Sequence, residues 1–274
     1  MAGCAGDEPA DTGRWFNPNP PDELGTDERP ADVVLPEDYT VERTWPLVIM
    51  LHGYGANSVV QDSIFGLGNR VDSMGFLLVK PDGTVDTSGR QFWNAFTECC
   101  DFGNTGVDDV GYLASLIEQA RETYPISHVA FVGHSNGGYM SYRMACDRAD
   151  LIDRIAPLAG TLSAIPSECT GTEAVRVLHM HGTEDNSVAY ESTSVHNGAR
   201  ASVEHFAALG GCSGPTSAGT RDYLASIDGE EHDIETWDCP GGDMQLWTGN
   251  EAGHVYLSNT DSYKDDLAAW LIAP

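Results

Sequence analysis

Ser135 stands in Gly133-His-Ser-Asn-Gly137, directly after the apolar run Val129 to Val132 and just before a helix-forming stretch from Tyr139 to Ala145. A serine hydroxyl is a poor nucleophile at neutral pH. It needs a base to take its proton and a third group to orient that base. The G-x-S-x-G pattern has chemical meaning when strand, tight turn and helix follow one another, because the turn lifts the hydroxyl into a cleft. That context is met here, since the apolar run is too short and too β-branched for a helix. Both glycines are needed: a side chain two residues either side of Ser135 would collide with the neighbouring strand or helix. The helix N-terminus behind the serine favours developing negative charge.

In a site of this kind the partners follow the serine in the order acid, then histidine. Glu184 and Asp185 are the carboxylates that end the apolar run beginning at Val175. Asp185 is the expected acid, because a loop after the turn lets its short side chain reach back; Glu184 is the alternative. Four of the nine histidines lie beyond Asp185: His196, His205, His232 and His254. His205 falls within an expected helix, and His196 and His232 read as surface loop residues. His254 sits after the last expected strand and before the final helix, and is the expected general base. Attack on an ester carbonyl builds negative charge on oxygen, which backbone N–H groups must meet. The expected donors are the N–H of Asn136, next to the nucleophile, and that of Tyr54, in the loop after Leu51. His52 reads as a brace of that loop, His179 and His181 as core or supporting residues, and His128 as the opening of a strand.

These residues need a sheet to hold them. Pro46 to Leu51 and Phe76 to Val79 are unbroken apolar runs of strand length, as in strands buried on both faces. Ile155 to Gly160, Val175 to His181 and Met244 to Trp247 extend the series, and Ala31 to Pro36 supplies an early candidate. Val107 to Thr123 carries helical spacing, and Ala199 to Leu209 and Asp261 to Ile272 read as helices. The alternation predicts an α/β fold: a mostly parallel central sheet with helices on both faces, its working residues beyond the C-terminal strand ends. Residues 14–30 read as irregular, and Cys212 to Cys239 as a Gly-rich polar insertion. The expected organisation is a tether and lead-in over residues 1–30 and one catalytic domain over residues 31–274, with no large lid.

With 274 residues and 41% hydrophobic content the chain has ample material for a core. No apolar run approaches the roughly 18 residues of a membrane-spanning helix. Asp and Glu outnumber Lys and Arg 42 to 14, a net charge of -28 that repels nucleic acid and other anionic polymers. Lysine occurs only as Lys80 and Lys264, and this scarcity beside such acidity suggests saline surroundings. Six of the seven cysteines (Cys99, Cys100, Cys146, Cys169, Cys212, Cys239) lie in the folded region, which fits three disulfides of an exported protein. Cys212 and Cys239 flank the insertion and are expected to pair. Vicinal Cys99 and Cys100 cannot easily bond each other and are expected to reach Cys146 and Cys169. No Cys-x2-Cys or His-x3-His spacing appears, so no metal site is expected. Met1-Ala-Gly-Cys4 resembles the cleavage end of a bacterial lipoprotein signal, and the polar residues after it suit a tether. The expected location is therefore secreted, or anchored at the bacterial cell envelope through a lipidated Cys4.

Several segments together resemble one known group. They are Leu51-His-Gly-Tyr-Gly-Ala-Asn57, Phe92-Trp-Asn94 with Cys99-Cys100, Val107-Asp-Asp-Val-Gly-Tyr112, Gly133 to Met140, His181-Gly-Thr-Glu-Asp185 and Gly253-His254. The group comprises α/β-hydrolase fold secreted esterases of the polyhydroxybutyrate depolymerase-like and feruloyl esterase-like kind. By position the resemblance implies Ser135 as nucleophile, Asp185 as acid and His254 as base, with no cofactor. It implies an ester substrate: a hydroxybutyrate or aromatic polyester, or feruloyl or acetyl esters of plant polysaccharide. Relatives often follow the histidine with a Thr-Trp-Pro-like run, where this chain has Val255-Tyr-Leu257; Tyr256 is then a candidate to stack on an acyl group. Trp93, Trp247 and Tyr54 are candidates for lining the cleft. The expected enzyme is a monomeric serine esterase working through an acyl-enzyme. The rivals are a peptidase of the same fold and an inactive binding module, and the intact order of the three residues argues against the latter.

Overall fold

The computed structural model describes residues 15–255 and 259–274, so Cys4, its tether and Tyr256 lie outside the described residues. The chain runs β1 (Glu23–Thr26), β2 (Arg29–Val34), β3 (Trp45–Leu51), α1 (Ser58–Phe65), α2 (Val71–Met74), β4 (Leu77–Pro81), β5 (Thr84–Val85) and β6 (Gln91–Phe92). It continues as α3 (Asp109–Thr123), β7 (Ile126–His134), α4 (Asn136–Asp147), β8 (Arg154–Leu158), β9 (Arg176–Gly182) and α5 (Ala199–Leu209). The last elements are β10 (Ser213–Arg221), β11 (His232–Asp238), β12 (Met244–Gly249) and α6 (Asp261–Ile272).

Ten strands form one sheet in the order β1-β2-β4-β3-β7-β8-β9-β12-β11-β10. The six central strands, β4 to β12 in that order, are parallel, and antiparallel pairs close each edge. Strand β3 shows why helices must cover both faces. Leu47, Ile49 and Leu51 enter one core with Leu113 of α3, Met140 of α4 and Phe206 of α5. Val48 and Met50 enter the other with Ile64 of α1, Val71 of α2 and Leu267 of α6. Successive side chains of a strand point to opposite faces, so an unbroken apolar strand has no face left for water. Each such side chain, fully buried, contributes about 1.5–3 kcal/mol, which makes the central strands a stiff platform for the loops beyond their C-terminal ends.

Two segments differ from the sequence-based expectation. Within the supposedly irregular residues 14–30, β1 pairs with β2 in the sheet. The polar insertion between Cys212 and Cys239 is a pair of antiparallel strands, β10 and β11, that extends the sheet. Strand β10 is an edge strand exposed along nearly its whole length, so it carries no apolar alternation to read. The disulfide pairing also needs correction. Cys212–Cys239 forms as expected, but Cys99 bonds Cys100 and Cys146 bonds Cys169. The peptide bond between Cys99 and Cys100 is cis, with the two Cα atoms 3.0 Å apart.

Candidate active site

Strand β7 ends at His134 and α4 begins at Asn136, so the whole turn between them is Ser135, with φ 54° and ψ -118°. Residues with a Cβ seldom occupy that region, and the surrounding fold must hold it. The Ser135 N–H donates to the Leu158 carbonyl at 2.8 Å, tying the turn to β8. A Cβ on Gly133 would lie 2.2 Å from the Gly137 carbonyl oxygen, and one on Gly137 would lie 2.4 Å from that of Leu51. Helix α4 therefore approaches β3 and β7 more closely than any side chain allows, which is the physical content of the two flanking glycines.

Asp185 follows β9 in a turn whose amides grip it. Its Oδ1 accepts from the N–H groups of Ser187 and Val188, each at 2.8 Å. Its Oδ2 is 2.7 Å from His254 Nδ1, and His254 Nε2 is 2.9 Å from Ser135 Oγ. The loop carrying the histidine is fastened to the loop carrying the acid: Thr183 N–H donates to the Gly249 carbonyl and Glu184 N–H to that of Ala252, both at 2.9 Å. Burial pushes the Asp185 carboxyl up. Hydrogen bonds from His181, His254 and the Val188 N–H outweigh that and hold it well below the usual carboxylate range. Glu184 is exposed and stands outside this chain of bonds.

The loop after β3 runs beside the serine, since a Cβ on Gly53 would lie 3.5 Å from Ser135 Cβ. The N–H of Asn136 belongs to the first turn of α4, whose amides have no partner within the helix. The Asn136 side chain is fully buried and staples the β6–α3 connection: it accepts from Trp93 N–H at 2.7 Å and donates to the Trp93 carbonyl at 2.8 Å. Tyr54 donates its hydroxyl to Asp86 at 2.5 Å, and its ring meets Phe102 edge-on at 5.3 Å.

The two tryptophans expected to line the cleft are both buried. Trp93 is fully buried beneath the site, its indole donating to the His52 carbonyl at 3.1 Å. Trp247 packs in the core with Tyr223 and Tyr263, ring centroids 5.0 and 5.9 Å away. His52 braces its loop as expected, with Nδ1 at 2.8 Å from the Gly53 carbonyl and Nε2 accepting from Gly83 N–H at 2.9 Å. His196 and His232, read as surface residues, are both buried. His232 lies on β11, which the polar composition concealed. Sequence reasoning passed over His134, whose Nε2–H donates to the His254 backbone carbonyl at 2.9 Å. It also passed over Tyr142, which meets His179 Nδ1 at 2.8 Å. The available signal was two histidines, His179 and His181, two residues apart on a largely apolar strand.

The family described as a putative esterase matches residues 23–208. The chain is 28% identical over 142 residues to a putative esterase, NocK, of Nocardia uniformis, a match covering 51% of this chain and 40% of that one. It is 26% identical over 243 residues to feruloyl esterase B of Piromyces equi, covering 83% of this chain and 42% of the other. The chain thus spans about two fifths of the length of these relatives. Among solved structures, an acetyl xylan esterase from Aspergillus awamori superposes with a TM-score of 0.66 at 13% identity, covering 91% of this chain and 98% of that one. An S-formylglutathione hydrolase from Staphylococcus aureus superposes with a TM-score of 0.56 at 14% identity, covering 91% and 94%. These likenesses identify the fold as that of the α/β-hydrolases, and by the match over most of its length the chain belongs to the putative esterase family.

Proposed function

We propose that the protein is a serine carboxylic-ester hydrolase. Ser135 Oγ attacks the ester carbonyl while its proton passes to His254 Nε2, and Asp185 holds the resulting imidazolium through Nδ1–H. The oxyanion of the tetrahedral intermediate is met by the N–H groups of Asn136 and Tyr54. Collapse expels the alcohol, which takes the proton from His254, and water repeats the sequence to release the acid from the acyl-enzyme. The observation that supports this reading is the unbroken run of contacts from Ser135 Oγ through His254 to Asp185, at 2.9 and 2.7 Å. Family membership and relatives named as esterases point to the same class of chemistry.

For the acyl group, the relatives named feruloyl esterase and the fold neighbour named acetyl xylan esterase favour feruloyl or acetyl esters of polysaccharide over a polyester. Three disulfides suit an oxidising compartment and hence a secreted enzyme. Hydrolysis of p-nitrophenyl butyrate by the wild type and its loss in Ser135→Ala test the mechanism; a fully active variant refutes it. Turnover of methyl ferulate, acetylated xylan and hydroxybutyrate oligomers, compared side by side, tests the acyl preference, and preference for the oligomers overturns the polysaccharide assignment.

A further inference from the structure

Behind Asp185 a line of polar side chains continues into the core on the side away from His254. His181 Nε2 lies 2.9 Å from the Val188 carbonyl and 3.2 Å from Asp185 Oδ2. His181 Nδ1 lies 3.0 Å from His179 Nε2, and His179 Nδ1 lies 2.8 Å from the Tyr142 hydroxyl. His179, His181 and Tyr142 are each fully buried. The two histidines come together because residues two apart on a strand share a face, and Tyr142 of α4 reaches His179 on that face. Burying two imidazoles and a phenol is costly unless their polar atoms are paired. Here both ring nitrogens of each histidine are.

The tautomers follow from the partners alone. A carbonyl and a carboxylate only accept, so the proton of His181 is on Nε2 and its Nδ1 is a lone pair. His179 must then donate from Nε2, which leaves its Nδ1 to accept the proton of Tyr142, whose oxygen Ser202 also approaches. With one proton on each ring, a single arrangement satisfies every atom. Burial drives the His179 imidazole well below its ordinary value, in keeping with a neutral ring.

We infer that His181 is a positioning residue for the acid of the triad: held in one tautomer by His179 and Tyr142, it fixes Asp185 Oδ2 toward His254. The inference rests on the reading of Ser135, His254 and Asp185 as the working triad. Oδ1 is pinned by two backbone amides, whereas Oδ2 has His254 on one side and His181 on the other. Without the His181 donor, the negative charge on Oδ2 is shared with one fewer hydrogen bond, so the imidazolium of His254 is favoured more strongly.

The test compares wild type, Ser135→Ala, His181→Phe, His181→Gln and Tyr142→Phe on p-nitrophenyl butyrate across pH. His181→Phe keeps the bulk and removes the donor; kcat is expected to fall roughly tenfold with KM little changed, the size of one lost charge-assisted hydrogen bond. Its acid limb of kcat/KM should move to higher pH. His181→Gln, which keeps an N–H near Nε2, should recover most of the rate. Wild-type kcat and an unmoved acid limb in His181→Phe overturn the inference. So does equal impairment of the Phe and Gln variants with no movement of the limb, because that marks packing alone. Where His181→Phe does not fold, Tyr142→Phe decides: a fall in kcat of about fivefold with the same shift of the limb supports the inference, and wild-type behaviour overturns it. An active Ser135→Ala defeats the triad reading instead, whereas an inactive one beside an unaffected His181→Phe defeats the relay alone.

Discussion

His134 holds His254 from the strand side: its Nε2–H donates to the His254 backbone carbonyl at 2.9 Å, and the two rings lie 4.9 Å apart. His134, the residue before Ser135, thereby anchors His254 and joins the end of β7 to the loop after β12. Replacing His134 by Phe keeps a ring and loses the donor. We expect kcat on a simple ester to fall about fivefold, the worth of one neutral hydrogen bond, with a smaller loss in His134→Gln. Steady-state kinetics of the two variants check it; equal rates in both and in the wild type would show that the anchor is dispensable.

Acid should destabilise the fold well before the carboxylates protonate. Burial, and then the neighbouring His254, push the His134 imidazole down from its ordinary 6.5 to about 4. Between those values the unfolded chain binds a proton that the folded chain does not, so stability falls as pH drops through this window and levels off below it. For His134 the gap amounts to about 3 kcal/mol. Burial lowers His52, His179 and His232 as well, which adds loss of the same sign. Asp185, held low in the fold, keeps its contribution until the pH falls below the ordinary carboxylate range. Urea midpoints measured from pH 7 to 4 should decline steadily, less steeply in His134→Phe; a flat profile contradicts the argument.

Ser135→Gly should be inactive and more stable. The serine sits at φ 54° and ψ -118°, a conformation that costs a residue with a Cβ on the order of 1–3 kcal/mol and glycine little. Offsetting the extra freedom of glycine in the unfolded chain leaves a gain of about 1 kcal/mol, or about 2 °C in Tm for a chain of this size. Calorimetry of Ser135→Gly beside Ser135→Ala isolates the backbone contribution, and a Tm for the glycine variant at or below that of the alanine variant removes the idea of stored strain.

Two glycines near the site should respond oppositely to a methyl group. On Gly137 it would press 2.4 Å from the Leu51 carbonyl oxygen, backbone against backbone, whereas on Gly253 it meets nothing within 4 Å. Gly137→Ala is expected to cost about 3 kcal/mol or more through overpacking, and Gly253→Ala to stay within about 0.5 kcal/mol of the wild type. Denaturant midpoints of the two variants test the contrast directly.

Gly133 to Gly137, the unbroken strands at Pro46 and Phe76 and the two helices from Ala199 and Asp261 could be read from the chain itself, because strand and helix periods and the crowding around a serine turn are local properties. Asp185 and His254 were singled out by the order in which such a site presents its partners along the chain, and the fold brings both beside Ser135. Tertiary structure alone decided the rest. β10 is an exposed edge with no alternation, so its place in the sheet depends on pairing with β11 rather than on its own residues. The cysteine pairing turned on which Sγ atoms the folded backbone brings together, a matter of distance that spacing does not encode. Trp93 and Trp247 carry the composition of a binding surface, yet packing turned both inward. The roles of His134, His181, His179 and Tyr142 depend on hydrogen-bond direction between residues on different elements, and direction exists only once the strands and helix stand side by side.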